Sequence, residues 1–400
     1  MVAVGAWRVL RTPPPYALKI LHYTPAYVPA WTWGGPVVST AALCEGLAKL
    51  GHEVTVYTTN AGLDGSFDGL VTRRDGVLVH YFRRKPGVGI KSQELEAAVA
   101  ERISDFDVAH ITGIWQRTSP AACRAAAKAG VPYVISPRGA LGSYSWKNKP
   151  LKKALYYYLR ERRNLRGAAG FHFTSSMEAR ECARWIEGKP SAIISNPVLS
   201  ANWTRDDVGA QVWRAKRGIS MLEPLLLVVG RLHHKKGLDL LPAVLAPFGN
   251  KKWTLVFVGD DEDGTGVKLR SSFASKGILE HVQFVQQVAN ESLPAIYSSA
   301  TMLLLPSRHE NFGNAVVEAM GCGCAVAVSD QVGCAEAIAD SGAATILPRR
   351  TEIWRDWLGK VINGAKQTNS PEQTLEWARL RFSRDALVSQ MAAFYRTVIK

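Results

Sequence analysis

Two glutamates and two cations carry the chemistry this sequence offers. Glu310 and Glu318 are separated by seven residues; the first falls in a polar loop, residues 307–314, and the second in the apolar segment behind it. Asn311, Phe312, Gly313 and Asn314 close that loop where a helix is expected to begin. A helix start aims unpaired backbone N–H groups outward, which suits a phosphate or diphosphate, and Gly313 lets a ligand come close to the main chain. Arg231 follows the apolar run 225–229 and Gly230, and Lys236 comes five residues later. Two cations converging on one crevice would neutralise a diphosphate and stabilise it as it leaves. Each residue alone is equally a solvated surface group; their shared setting argues for a site.

That setting is a strand–loop–helix–strand unit. Residues 303–305 read as a short apolar strand, the helix carries Glu318, Gly321 and Gly323 break it, and 325–328 form a second apolar strand. Such a βαβ unit belongs to a parallel sheet, whose ligands sit beyond the carboxyl ends of the strands. Further strands are expected at 225–229, 253–259 and 281–285, with a helix at 293–299. The first half alternates likewise, with strands at 18–22, 52–58, 77–82, 108–111, 133–136, 170–174 and helices at 39–50, 93–103, 120–129 and 175–185. Gly34 and Gly35 lie between the first strand and helix, where a phosphate could approach, although a plain turn explains them too. The G-x-G-x-x-G fingerprint is absent, which counts against a nicotinamide or flavin cofactor. His110, read as ending one strand, and Arg138, just after another, are candidate site residues.

The chain has 400 residues, 47% of them hydrophobic, enough for two cores. Its net charge of +15 points to an anionic partner. Residues 1–198 hold 26 Lys and Arg against 14 Asp and Glu, while the remainder is close to balanced. The expected division is a disordered extension at 1–17, a first domain at 18–198, a linker at 199–221 and a second domain at 222–383. The segment 375–400 reads as one amphipathic helix, whose end, about 384–400, returns to the first domain. Arg8, Arg11 and Pro13–Pro15 argue against a signal peptide, and no apolar run is long enough to span a bilayer. The six cysteines lack metal-finger spacing and read as buried thiols of a cytoplasmic protein. Asp260–Asp263 lacks the calcium-loop pattern and reads as a solvated loop, so no metal is expected.

Residues 147–166 are strongly basic: Lys147, Lys149, Lys152, Lys153, Arg160, Arg162, Arg163 and Arg166 face only Glu161. Leu151, Leu155, Tyr156, Tyr158, Leu159 and Leu165 recur at near-helical spacing. One reading is a peripheral contact with an anionic membrane face. Another is a core-facing helix with a basic solvated side. Nucleic acid is a weaker third, since no recognition motif accompanies the charge.

The stretch from Pro306 to Ser329 resembles the E-x7-E signature of glycosyltransferase family 4, retaining enzymes of the GT-B fold. That family reads Pro-Ser-x-x-Glu-Gly-Phe-Gly, then Leu-Glu-Ala-Met-Ala and Gly-x-Pro-Val-Val; here Asn311 replaces a Gly and Ala325 a Pro. Gly230-Arg231-Leu232 with Lys236-Gly237, and Gly34-Gly35 followed by Gly51-His52-Glu53-Val54, are also similar to family motifs. The resemblance covers about residues 18–398. It implies two Rossmann-like domains facing across a cleft and a nucleotide-sugar donor. It further implies that Glu310 contacts the donor sugar, Glu318 the ribose, Arg231 and Lys236 the diphosphate, and Gly34 and Gly35 the phosphates. No cofactor is implied. It makes His110 and Arg138 possible acceptor- or sugar-side residues; the family often has a histidine where Arg138 stands, and a guanidinium grips anions but cannot shuttle a proton near neutrality. Gln287 stands near a family glycine, which puts the base contacts in doubt. With the basic segment, the expectation is transfer to a glycan or lipid-linked saccharide at the inner membrane face, in polysaccharide or glycolipid synthesis. Rival readings are a nucleotide-sugar epimerase on the same fold and a non-catalytic membrane-binding protein. A glycosidase does not fit, because glutamates on separate sugars cannot flank one glycosidic bond.

Overall fold

The computed structural model describes residues 16–399, apart from Pro86, Val88, Asn148, Glu187 and residues 365–368. Of the expected extension at 1–17, all but Tyr16 and Ala17 lie outside the described residues. The chain forms two compact units. The first runs to Thr174, resumes over Glu178–Pro197 and takes in the last helix from Arg384; the second comprises Ser175–Met177 and Val198–Ser383.

The first unit holds eight strands: β1 (Lys19–Tyr23), β2 (Glu53–Thr59), β3 (Val71–Arg74), β4 (Val77–Phe82), β5 (Val108–Thr112), β6 (Tyr133–Ser136), β7 (Gly170–Phe173) and β8 (Ser191–Ile193). Their order is β3-β4-β2-β1-β5-β6-β7-β8, parallel except for β3. The β3–β4 hairpin turns at Asp75-Gly76, both at positive φ; this Asp-Gly hairpin signal was not read from the sequence. β5 and β6 are buried at every residue, as strands covered on both faces must be. The last helix, Arg384–Ile399, lies against helix Gly35–Lys49, where Gly46 makes room for Val388: a Cβ there would come 2.6 Å from Val388 Cγ2.

The second unit holds β9 (Leu225–Val229), β10 (Thr254–Val258), β11 (Val282–Val285), β12 (Met302–Leu305), β13 (Val326–Ser329) and β14 (Ala344–Leu347). They are parallel, in the order β11-β10-β9-β12-β13-β14. The chain winds outward from β9 in one direction and from β12 in the other, so the strand order reverses between these two neighbours. Open α/β sheets bind ligands at such a reversal. Trp253, Phe257, Phe273 and Trp354 fill the core; truncating such a buried aromatic costs about 3–5 kcal/mol.

Three expectations need correction. Residues 199–221 are not a bare linker, because helix Asp207–Ala215 lies inside them. Asp206 caps it by accepting from the Gly209 N–H at 2.8 Å, and the buried Arg214 donates to Ser299 O at 2.8 Å and Glu223 O at 2.9 Å. Val208 and Val212, one turn apart, face solvent while Arg214 is buried, so the helix turns its apolar stripe away from the core. The tail is not one helix: Ser383, with extended backbone, separates helix Pro371–Phe382 in the second unit from Arg384–Ile399 in the first. His110 does not end its strand; it sits in the middle of β5.

Candidate active site

The two loops that leave β9 and β12 are tied together. Arg308 N donates to Lys235 O at 2.8 Å, and Asp239 accepts from Arg308 at 2.6 Å and from Arg349 at 2.9 Å. Gly237 allows this approach: it has φ +63°, and a Cβ would meet Pro306 O at 2.2 Å. The loop after β12 is held from its other side by Gly333 N–H to Glu310 O, 2.8 Å, and Glu310 N–H to Gln331 O, 3.0 Å.

This frame brings Lys236 Nζ to 2.5 Å from Glu310 Oε2, with both side chains about three-quarters buried. Behind them Gly313, at φ +100°, precedes helix Asn314–Gly321, whose start has no side-chain cap. A helix start of this kind suits an anion; Val316 N–H there donates to Gly313 O at 3.0 Å. Phe312 is buried beneath the loop. Glu318, half-buried on this helix, accepts from the Tyr297 hydroxyl at 3.0 Å. Burial pushes its carboxyl up to about 7, while the Tyr297 bond and the Lys236 charge oppose that shift.

Arg231 leaves β9 on the same edge, but its Nη1 is held by Glu262 Oε1 at 2.7 Å, and both are half-exposed. The structure therefore brings Lys236, Glu310 and Glu318 together and holds Arg231 on the neighbouring acidic loop. That loop is more ordered than a solvated turn. Asp263 Oδ2 accepts from His234 N at 3.1 Å and lies 2.8 Å from His234 Nδ1. Its carboxyl is held well below the usual range, mainly by the Thr265 hydroxyl. His233, His234 and Asp263 place one ligand atom each within 4.8 Å of one another. His233 Nδ1 accepts from the Lys235 N–H at 3.1 Å, however. The neutral ring then carries its proton on Nε2, the nitrogen facing Asp263, which suits hydrogen bonding rather than metal ligation. Tyr297 was missed in the sequence, and Glu262 was read only as part of a solvated acidic loop; neither signals its partner until the fold aims it.

In the first unit, Gly34 (φ +71°) caps helix Gly35–Lys49, which begins four residues earlier than expected and so includes Gly35. Arg138 follows β6 at φ +55° and donates from Nη1 to Asn196 Oδ1 at 2.6 Å. Its buried Nε has no hydrogen-bond partner among the described residues. His110 is fully buried. Its Nδ1 lies 2.6 Å from the Tyr395 hydroxyl and its Nε2 2.7 Å from Ser136 Oγ. This interior placement corrects the expectation of a candidate acceptor contact. At the carboxyl end of β4, Arg83, Arg84, Lys85, Gln93 and Glu94 line a cavity of about 450 Å³.

Two α/β units with parallel sheets of this order define the GT-B class. The fold is shared with an Anabaena protein, Alr3699/HepE, solved in complex with UDP: TM-score 0.74 at 18% identity, covering 95% of this chain and 100% of that one. Residues 34–197 match the glycosyl transferase 4-like domain and residues 210–368 the glycosyl transferases group 1 family. The chain belongs to the group 1, family-4-like glycosyltransferases. It is 23% identical to a D-inositol 3-phosphate glycosyltransferase of Jonesia denitrificans over 95% of each chain. It is also 32% identical to a GDP-mannose:cellobiosyl-diphosphopolyprenol alpha-mannosyltransferase of Xanthomonas campestris, over 31% of this chain and 33% of that one.

Proposed function

We propose that this enzyme moves a sugar from a nucleotide-sugar to a glycan or lipid-linked saccharide, with retention at the anomeric carbon. The observation that carries the reading is the convergence of Lys236, Glu310 and Glu318 at the β9/β12 reversal. In it, Lys236 and the N-terminal end of helix Asn314–Gly321 take the diphosphate, and Arg231 joins them on leaving Glu262. Glu310 turns from Lys236 to the sugar hydroxyls, and ionised Glu318 accepts from the ribose hydroxyls. The acceptor oxygen attacks on the face the diphosphate is leaving, and the departing phosphate oxygen takes its proton. Fixed cations stabilise that leaving charge, so the reading calls for no metal.

The Jonesia relative is named for a phosphate-bearing acceptor and the Xanthomonas relative for a diphosphopolyprenol one. The excess of Lys and Arg over Asp and Glu in residues 1–198 supports an acceptor of this anionic kind on the first unit. Incubation with a donor and a diphosphopolyprenol saccharide, followed by NMR of the new linkage, tests the reading. The expected product keeps the donor's anomeric configuration. An inverted product, or epimerised donor with acceptor ignored, would overturn it.

A further inference from the structure

We infer that the outer face of residues 149–166 docks on an anionic lipid bilayer; the inference deepens the reading of a lipid-linked acceptor and rests on it. The segment is helix Pro150–Tyr156, a π-turn at Tyr157–Glu161 and helix Arg162–Gly167. The wider turn re-phases the helix. Tyr157 and Glu161 turn inward, the former against Trp185 with ring centroids 4.7 Å apart. Tyr158 and Leu159 turn out, onto the side that carries Leu151 and Leu155. These four are 66%, 70%, 86% and 62% exposed in that order. Core-facing packing therefore does not explain the apolar periodicity, since the larger part of it faces solvent.

The charge on this face has one sign. Lys149, Lys152, Arg160, Arg162, Arg163 and Arg166 are all exposed. The segment's one carboxylate, Glu161, is buried, and accepts from Asn164 Nδ2 at 3.3 Å. Lys153 is turned away to Ser145 Oγ, 2.8 Å. Leucines with tyrosine and long cationic stems, and no exposed acid, match an interface of acyl chains beneath anionic headgroups. A protein partner would be expected to meet these cations with carboxylates, leaving the leucines little to pack against. No helix among the described residues is long and apolar enough to cross a membrane, so this contact lies along the surface.

The test is co-sedimentation with vesicles of mixed phosphatidylglycerol and phosphatidylcholine, beside phosphatidylcholine alone. The wild type should prefer the anionic vesicles and release them with added salt. L151E/L159E and, separately, K152E/R163E should each bind at least about tenfold more weakly. All four positions are exposed, so circular dichroism should not change. The melting-temperature rise with nucleotide-sugar, read on the same variants, should persist, which separates this inference from the donor-site reading. Absence of wild-type binding, equal binding to neutral vesicles, or undiminished binding by both variants would overturn it. So would a wild-type dimer dissolved by L151E/L159E, which would assign the stripe to a second copy of the chain.

Discussion

Lys236 Nζ and Glu310 Oε2 lie 2.5 Å apart and join the loop after β9 to the loop after β12. In the proposed reading, Lys236 takes the diphosphate and Glu310 the sugar, and here the two satisfy one another. Each must exchange this partner for donor atoms. Lys236→Ala and Glu310→Gln should each lower kcat/KM for transfer by about 10²–10³-fold, the scale of losing one preorganised charge. Steady-state transfer kinetics check this; a loss below tenfold in both variants would contradict the assigned roles.

Glu318 gives a pH dependence. Burial raises its carboxyl to about 7, so it carries a proton below that value. Ribose hydroxyls donate best to the ionised form, and donor affinity should therefore rise with pH through about 7 and level off above. The same shift has the opposite sign for folding. A carboxyl raised above its unfolded value near 4.3 costs stability as pH climbs from there towards 7. Tyr297→Phe removes a bond that favours the ionised form, so the affinity midpoint should move upward. Titration calorimetry from pH 6 to 9 reads both.

Arg231 is expected to act only after leaving Glu262, 2.7 Å away. Glu262→Gln should strengthen donor binding a few-fold by freeing the guanidinium, whereas Arg231→Ala should weaken it. Chelator treatment should leave the rate of transfer unchanged, because these cations supply the charge. A rate restored only by added divalent ion would contradict that part of the account.

Much of this was legible because the signals were local. Apolar runs such as 225–229 admit few readings, and the loop–helix spacing from Glu310 to Glu318 survives folding unchanged. Contacts between distant segments were not legible. Nothing in the sequence places Tyr297 under Glu318 or Glu262 on Arg231, and the Glu310 motif does not reveal its own pairing with Lys236. His110 was misplaced because a polar residue inside a strand looks like a strand end until its partners are known. The helix Asp207–Ala215 escaped because it packs through a buried arginine rather than an apolar stripe.

Those partners of His110 form a one-way hydrogen-bond chain. His172 Nε2–H donates to Ile194 O at 2.9 Å, so its Nδ1 accepts from Ser136, 2.6 Å away. Ser136 Oγ then accepts from His110 Nε2–H, and His110 Nδ1 accepts from Tyr395. The chain needs neutral rings. Burial lowers the rings of His22 and His172 to about 3 and that of His110 far below its ordinary value. Unfolded rings near 6.5 take protons first, so stability should be full above that pH. It should fall below it, by up to about 1.4 kcal/mol per pH unit for each ring. Tyr395→Phe should cost about 1–3 kcal/mol. Urea unfolding at several pH values checks both.

The donor site is tested most directly by thermal unfolding with UDP-, GDP-, ADP- and TDP-sugars, on the wild type, Lys236→Ala and Glu318→Ala. A ligand that binds only the folded state raises the melting temperature. The account predicts that one nucleotide series stabilises the wild type and that both variants lose most of that rise. An equal rise in the variants, or no rise with any of the four, would contradict it.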